Sequence, residues 1–172
     1  MMTMQNANHT VTFEPDADNT RLLRDAFGRF ATGVTVVTTG SADGPVGITA
    51  NSFSSVSLEP PLVLWMPDKG SRRFRYFETA EHYAIHVLSH EQAEVCNGFV
   101  RNAHAFDQLT YTIDGNGVPL IENCLARFEC KRFTAYEGGD HLIVLGQVLQ
   151  AEMRSGEALT FYAGKLGQIA PR

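Results

Sequence analysis

The sequence predicts a mainly β fold, α+β in class: an antiparallel β-barrel with a few short helices at its ends. Three observations predict it. Apolar and β-branched runs of strand length, at residues 34–39, 62–66, 82–89, 125–135 and 141–153, are bounded by turn chemistry. The connections between neighbouring runs are too short for the crossovers that parallel strands need. Helical spacing is confined to three stretches. With the strand-like opening of residues 47–61, this makes about six strands and three helices.

Taken in order, residues 1–18 read as a flexible, polar N-terminal tail, and residues 19–172 as one domain. Asn19 or Thr20 caps a first helix. Leu22, Leu23, Ala26, Phe27 and Phe30 recur along it at helical spacing, and it is expected to end near Gly33. Residues 34–39 are β-branched throughout, and Ser41-Ala42-Asp43-Gly44 is turn chemistry, so the first two strands form a hairpin. Pro60-Pro61 is expected to stop ladder pairing ahead of the continuously apolar strand 62–66. Asp68-Lys69-Gly70-Ser71 supplies a turn and a cap for a short basic helix over 72–79, with Phe74 and Phe77 inward. Ile85, Val87 and Leu88 centre the next strand. A helix follows over 91–100, burying Ala93, Val95, Cys96 and Phe99. Residues 102–109 read as loop, Asn116-Gly117 and Pro119 as turns. Residues 137–140 turn the strand 125–135 into the longest strand, 141–153, and a Gly-rich tail starts at Ala163.

At 172 residues and 44% hydrophobic, the chain can bury one good core. Its net charge of −5 argues against a nucleic-acid or membrane-surface protein, although Lys69, Arg72, Arg73 and Arg75 gather locally. Cys96, Cys124 and Cys130 are odd in number and lack paired spacing, so neither a disulfide framework nor zinc is indicated, and a cytoplasmic setting fits. No run of 18 apolar residues marks a membrane span. His82, His86 and His90 stand four apart, but on a strand that spacing covers about 13 Å and no single ion reaches adjacent pairs. They read as three partly exposed strand histidines. No nucleophile elbow, phosphate loop or dinucleotide fingerprint is present.

Residues 47–61 stand apart from this frame. Asn51, Ser52, Ser54, Ser55 and Ser57 are interleaved with only Phe53, Val56 and Leu58 as sizeable apolar side chains, too polar for a core strand. Small hydroxyls and an amide offer donors and acceptors without filling space, as a flat ligand with a polar edge requires. Composition alone reads equally well as a Ser-rich loop between strands. The run from Phe30 to Thr39, the run from Thr49 to Leu64 containing Ala50-Asn51-Ser52-Phe53-Ser54-Ser55-Val56-Ser57, and the tripeptide Gly139-Asp140-His141 together resemble the flavin reductase family. That family is built on the FMN-binding split β-barrel, a Greek-key antiparallel barrel, and the likeness runs in order over about residues 20–169.

The resemblance implies an NADH- or NADPH-dependent reductase of FMN or FAD. Such an enzyme is a homodimer and supplies reduced flavin to a separate flavin-dependent monooxygenase. It puts Thr32, Gly33, Val34, Ala50, Asn51 and Ser52 around the isoalloxazine, with Ser55, Val56 and Ser57 nearby. The ribityl phosphate falls at residues 68–72, where Lys69, Ser71, Arg72 and the following helix N-terminus suit a dianion. It points His141 at the nicotinamide, as a positioning residue, because hydride transfer from nicotinamide C4 to flavin N5 asks for stacking geometry rather than a protein acid. Leu166 follows Gly164-Lys165 where relatives often carry an aromatic, which leaves a stacking role for the tail open. Two other readings stay open: a relative reducing a corrinoid or a ferric chelate, and a flavin binder without turnover.

Overall fold

Seven antiparallel strands share one sheet whose two ends do not meet. The computed structural model describes residues 10–169, so half of the expected tail lies outside the described residues. Helix α1 (Thr20–Phe27) leads through β1 (Thr32–Gly33) into β2 (Thr35–Ser41) and β3 (Gly44–Ala50). β4 (Ser54–Leu58), β5 (Pro61–Trp65), α2 (Phe74–Phe77) and β6 (His82–Val87) follow. A 3-10 turn (His90–Gln92) precedes α3 (Ala93–Arg101). The chain ends in the hairpins β7 (Tyr111–Ile113) with β8 (Pro119–Ile121), β9 (Ala126–Gly138) with β10 (His141–Met153), and β11 (Leu159–Tyr162) with β12 (Lys165–Gln168). The sheet runs β3-β2-β6-β9-β10-β5-β4.

The sheet is curled, and its core shows it. In a flat sheet β3 and β5 would stand five steps apart, about 24 Å at ordinary strand spacing. Instead Val46 and Ile48 of β3 share one buried cluster with Val63 and Trp65 of β5, together with Val37, Tyr83, Ile85, Cys130 and Val144 from the strands between. β3 and β4 face each other across the split and are joined only by residues 51–53. Side chains alternate along β2: Val37 points into the barrel, while Val36 points outward beneath Phe99 and Cys96 of α3, Phe106 and Ile121. Gly47 allows α3 to approach, because a Cβ there would sit 2.5 Å from the Phe99 ring.

Several expectations need correction. α1 ends at Phe27 rather than near Gly33, because the Gly28 carbonyl accepts the Ala163 N–H and Thr32–Gly33 pair with Phe161 and Thr160 of β11. The Gly-rich tail is that hairpin, turned through Ala163 and Gly164 at positive φ, and Leu166 sits in β12 opposite Phe161. Residues 54–58 do form a strand, an edge strand that tolerates polar residues because one side has no partner. Pro60-Pro61 does not stop pairing but makes its hairpin turn, with Leu58 opposite Pro61. The basic helix is a single turn. His86 is fully buried rather than partly exposed, and His90 lies in the 3-10 turn rather than on a strand. The three cysteines are free and buried, and burial pushes Cys124 up to about 11 and Cys130 to about 12.

Candidate functional site

The polar loop between β3 and β4, the turn after β5 and the Gly-Asp-His hairpin lie side by side, and hydrogen bonds fix their order. Thr35 of β2 stands opposite Ala50 of β3 and donates its hydroxyl to the Ala50 carbonyl at 2.7 Å. That register places residues 32–34 beside residues 50–52. The Ser52 hydroxyl accepts the Met66 N–H at 2.9 Å and donates to the Met66 carbonyl at 3.2 Å, tying the loop to the end of β5. One residue on, the Pro67 carbonyl accepts the Leu142 N–H at 3.1 Å, and Asp68 bridges His141. The strand end 66–68 is therefore flanked by Asn51-Ser52 on one side and His141 on the other.

Within this arrangement the side chains divide into bound and free. Asn51 is exposed and, among the described residues, its amide has no partner. The Thr32 hydroxyl is buried with none. Such a group costs stability unless something else satisfies it, and a ligand edge would. Gly33 has open space where a Cβ would stand. Val34 is buried and holds β2 to Leu88 through its carbonyl. Ser55, Val56 and Ser57 lie along the edge strand with a bulge at Val56. Ser57 faces Leu62 and accepts the Glu59 N–H at 3.2 Å, so it serves the hairpin turn and stands about four residues, roughly 13 Å, from Met66. The structure does not bring Ser57 to the Ser52 end of the hairpin.

The turn at residues 68–72 behaves differently from the sequence expectation. Asp68 accepts the Gly70 N–H at 2.7 Å, and Ser71 accepts the Arg73 N–H at 3.3 Å. Lys69 is committed: its ammonium pairs with Glu137 and donates to the Gly139 carbonyl at 2.7 Å, while its N–H bonds the Asp140 carbonyl at 2.9 Å. Arg72 is exposed and forms no ion pair among the described residues. α2, at four residues, offers little dipole, so the side chains rather than a helix end must meet an anion here. His141 Nδ1 lies 2.8 Å from Asp140 Oδ1, and that hydrogen bond, with the charge of the imidazole when protonated, holds the Asp140 carboxyl below its ordinary range. The contact leaves Nε2 as the free edge of the ring. Sequence reading missed Glu137 as the partner of Lys69, since the two stand 68 residues apart and no local pattern links them.

A buried donor without a partner, open space beside it and a free arginine past the next turn fit a planar ligand with a polar edge and a phosphate. The family comparison decides what kind. Residues 27–170 match the model described as the flavin reductase like domain. The chain belongs to the flavin reductase-like family. Among its relatives, FMN reductase (NADH) SmoA of Agrobacterium fabrum is 51% identical over 158 residues, 92% of this chain and 91% of that one. The reductase subunit HsaB of a flavin-dependent monooxygenase from Rhodococcus jostii is 36% identical, over 91% of this chain and 81% of that one. Among solved structures, the NADH:FAD oxidoreductase SgcE6 of Streptomyces globisporus C-1027 superposes with a TM-score of 0.86 at 37% identity, covering 95% of each chain. A flavin reductase-like chain thus has the split barrel that its sequence motifs imply.

Proposed function

We propose that this chain is a flavin reductase that moves hydride from NADH or NADPH to FMN or FAD and supplies the reduced flavin to a separate monooxygenase. One observation carries the reading: Asn51-Ser52 and His141 flank the same strand end, so residues assigned to the flavin and to the nicotinamide lie on the two sides of one short segment. Bound flavin supplies the two-electron acceptor for a nicotinamide hydride. The chain's own part is placement. The Thr32 hydroxyl and the Asn51 amide hold a polar ring edge, Ser71 and Arg72 receive the phosphate, and His141, oriented by Asp140, presents Nε2 to the nicotinamide nucleotide. No residue here needs to move a proton, which matches a site built from hydroxyls, amides and one exposed imidazole.

Two further features belong to this reading. Leu22, Phe27 and Phe30 around α1 and Val56 and Leu58 on β4 are exposed, Leu58 at 97%, and they support a homodimer in which a second copy covers them. Free buried thiols, and the lack among the described residues of a helix long and apolar enough to cross a membrane, are compatible with a cytoplasmic setting.

Anaerobic NADH oxidation with excess free FMN tests the function. Catalytic bleaching of the added flavin is the expected result. Bleaching of a single equivalent would transfer the reading to a flavoprotein that reduces another acceptor, and no bleaching to a binder.

A further inference from the structure

Four of the chain's 14 Lys and Arg residues line one surface cleft of about 220 Å³, although the chain as a whole carries −5. Arg72, Arg73 and Arg75 come from the segment around α2, and Arg101 from the last residue of α3. Arg73 is anchored by donating Nη2 to the Val100 carbonyl at 2.9 Å, and its Nε is buried without a partner. Arg75 lies over the Tyr76 ring, 4.6 Å from its centroid, and donates to the Tyr76 hydroxyl at 2.5 Å. The Tyr76 hydroxyl in turn donates to Asp43 at 2.8 Å, and Asp43 stands 3.5 Å from Arg75. Among the described residues Asp43 is the one carboxylate paired with this group. Arg72 and Arg101 have none.

Like charges gathered on a surface repel one another, and solvent only partly screens them. Burial, and after it the neighbouring charge of Arg72, holds the Arg73 guanidinium below its ordinary value. A phosphate accepts several charge-assisted hydrogen bonds at once and relieves it, and the planar guanidinium is the side chain best matched to it. Position narrows the class. Arg72 belongs both to this cleft and to the turn at residues 68–72 that receives the first flavin phosphate. In a flavin dinucleotide the second phosphate is joined to the first through one bridging oxygen, so it must fall beside that turn.

We infer that the cleft formed by Arg72, Arg73, Arg75 and Arg101 receives the adenylate-side phosphate of FAD, so that the chain prefers the dinucleotide flavin to FMN. The inference rests on the flavin reading of the neighbouring turn, and FMN serves as its internal control. Flavin dissociation constants measured by fluorescence titration, for FMN and FAD, on the wild-type chain and on Arg101→Ala and Arg75→Gln, test it. The wild type is expected to bind FAD about tenfold more tightly than FMN. Each variant should lose about tenfold for FAD and stay within twofold for FMN, because one charged hydrogen-bond donor is removed from one ligand only. Unchanged FMN binding also shows that the variant is folded. The wild-type preference should shrink as salt rises from 50 to 200 mM. Equal wild-type affinity for the two flavins overturns the inference and leaves the flavin reading standing, as does an equal loss for both flavins in the variants. Failure of the wild type to bind either flavin removes the reading beneath it.

Discussion

His141 and His86 show how the same residue type is put to opposite uses by its surroundings. His141 stands at the start of β10 with one ring nitrogen bonded to Asp140, an orientation that suits the ligand-positioning role proposed for it. His141→Ala is expected to raise the NADH Michaelis constant several-fold and to leave oxidised-flavin affinity within about twofold. A flavin-binding defect with normal NADH kinetics would put His141 on the other ligand. His86 is a structural strut. Its Nδ1–H donates to the Val36 carbonyl at 3.0 Å and its Nε2 accepts the Ile121 N–H at 3.0 Å, which requires the neutral ring. Burial pushes its pKa down to about 3. The unfolded chain takes up that proton near pH 6.5, whereas the native chain resists it until about pH 3. The stability contributed by the neutral ring is therefore full above pH 6.5 and is lost as pH falls through that window, at up to about 1.4 kcal/mol per pH unit. Urea unfolding between pH 7.5 and 5, above the main carboxylate range, checks this. A midpoint that does not move would count against it.

At the scale of elements, the β9–β10 hairpin is where fold and site are joined. Lys69 staples its tip through Glu137 and the Gly139 carbonyl, and the same tip carries His141. Lys69→Met should raise the NADH Michaelis constant in the same sense as His141→Ala while flavin affinity holds. Loss of flavin affinity alone would return Lys69 to the phosphate. Further along β10, Gly146 lies against Tyr83: a Cβ there would stand 2.1 Å from the Tyr83 hydroxyl and 3.2 Å from the Cys130 Cβ. Gly146→Ala is expected to cost about 1 to 3 kcal/mol in denaturant unfolding. Gly115→Ala, with open space at its Cβ, should change stability by less than about 0.5 kcal/mol. The boundaries of β10 were legible because Gly139-Asp140 is turn chemistry and the strand behind it is long and apolar. The β11–β12 hairpin was not, since its turn uses Ala163 at positive φ, a conformation alanine rarely signals. The spacing of Leu22, Phe27 and Phe30 marked an amphipathic helix, yet periodicity says nothing about which body covers its apolar face. The meeting of Arg101 with the arginines near α2 likewise exists only once α3 has folded back.

For the whole molecule, the exposed apolar residues of α1 and β4 set the expectation of assembly. Gel filtration should give twice the 19.0 kDa chain mass. Elution at the single-chain mass would leave those surfaces unexplained and count against the homodimer. The ladder of β5 against β10 carries another consequence. Its partners, such as Trp65 with Val144 and Leu62 with Gln147, are separated by about 80 residues, so a large loop must close before β5 can seat. Refolding dominated by such pairings belongs to the millisecond-to-second range rather than the microsecond one. Trp65 is the chain's only tryptophan, and it becomes buried against Phe77 and Tyr83 when β5 takes its place. One intrinsic fluorophore thus times the moment at which the strand that ends between Ser52 and His141 joins the barrel.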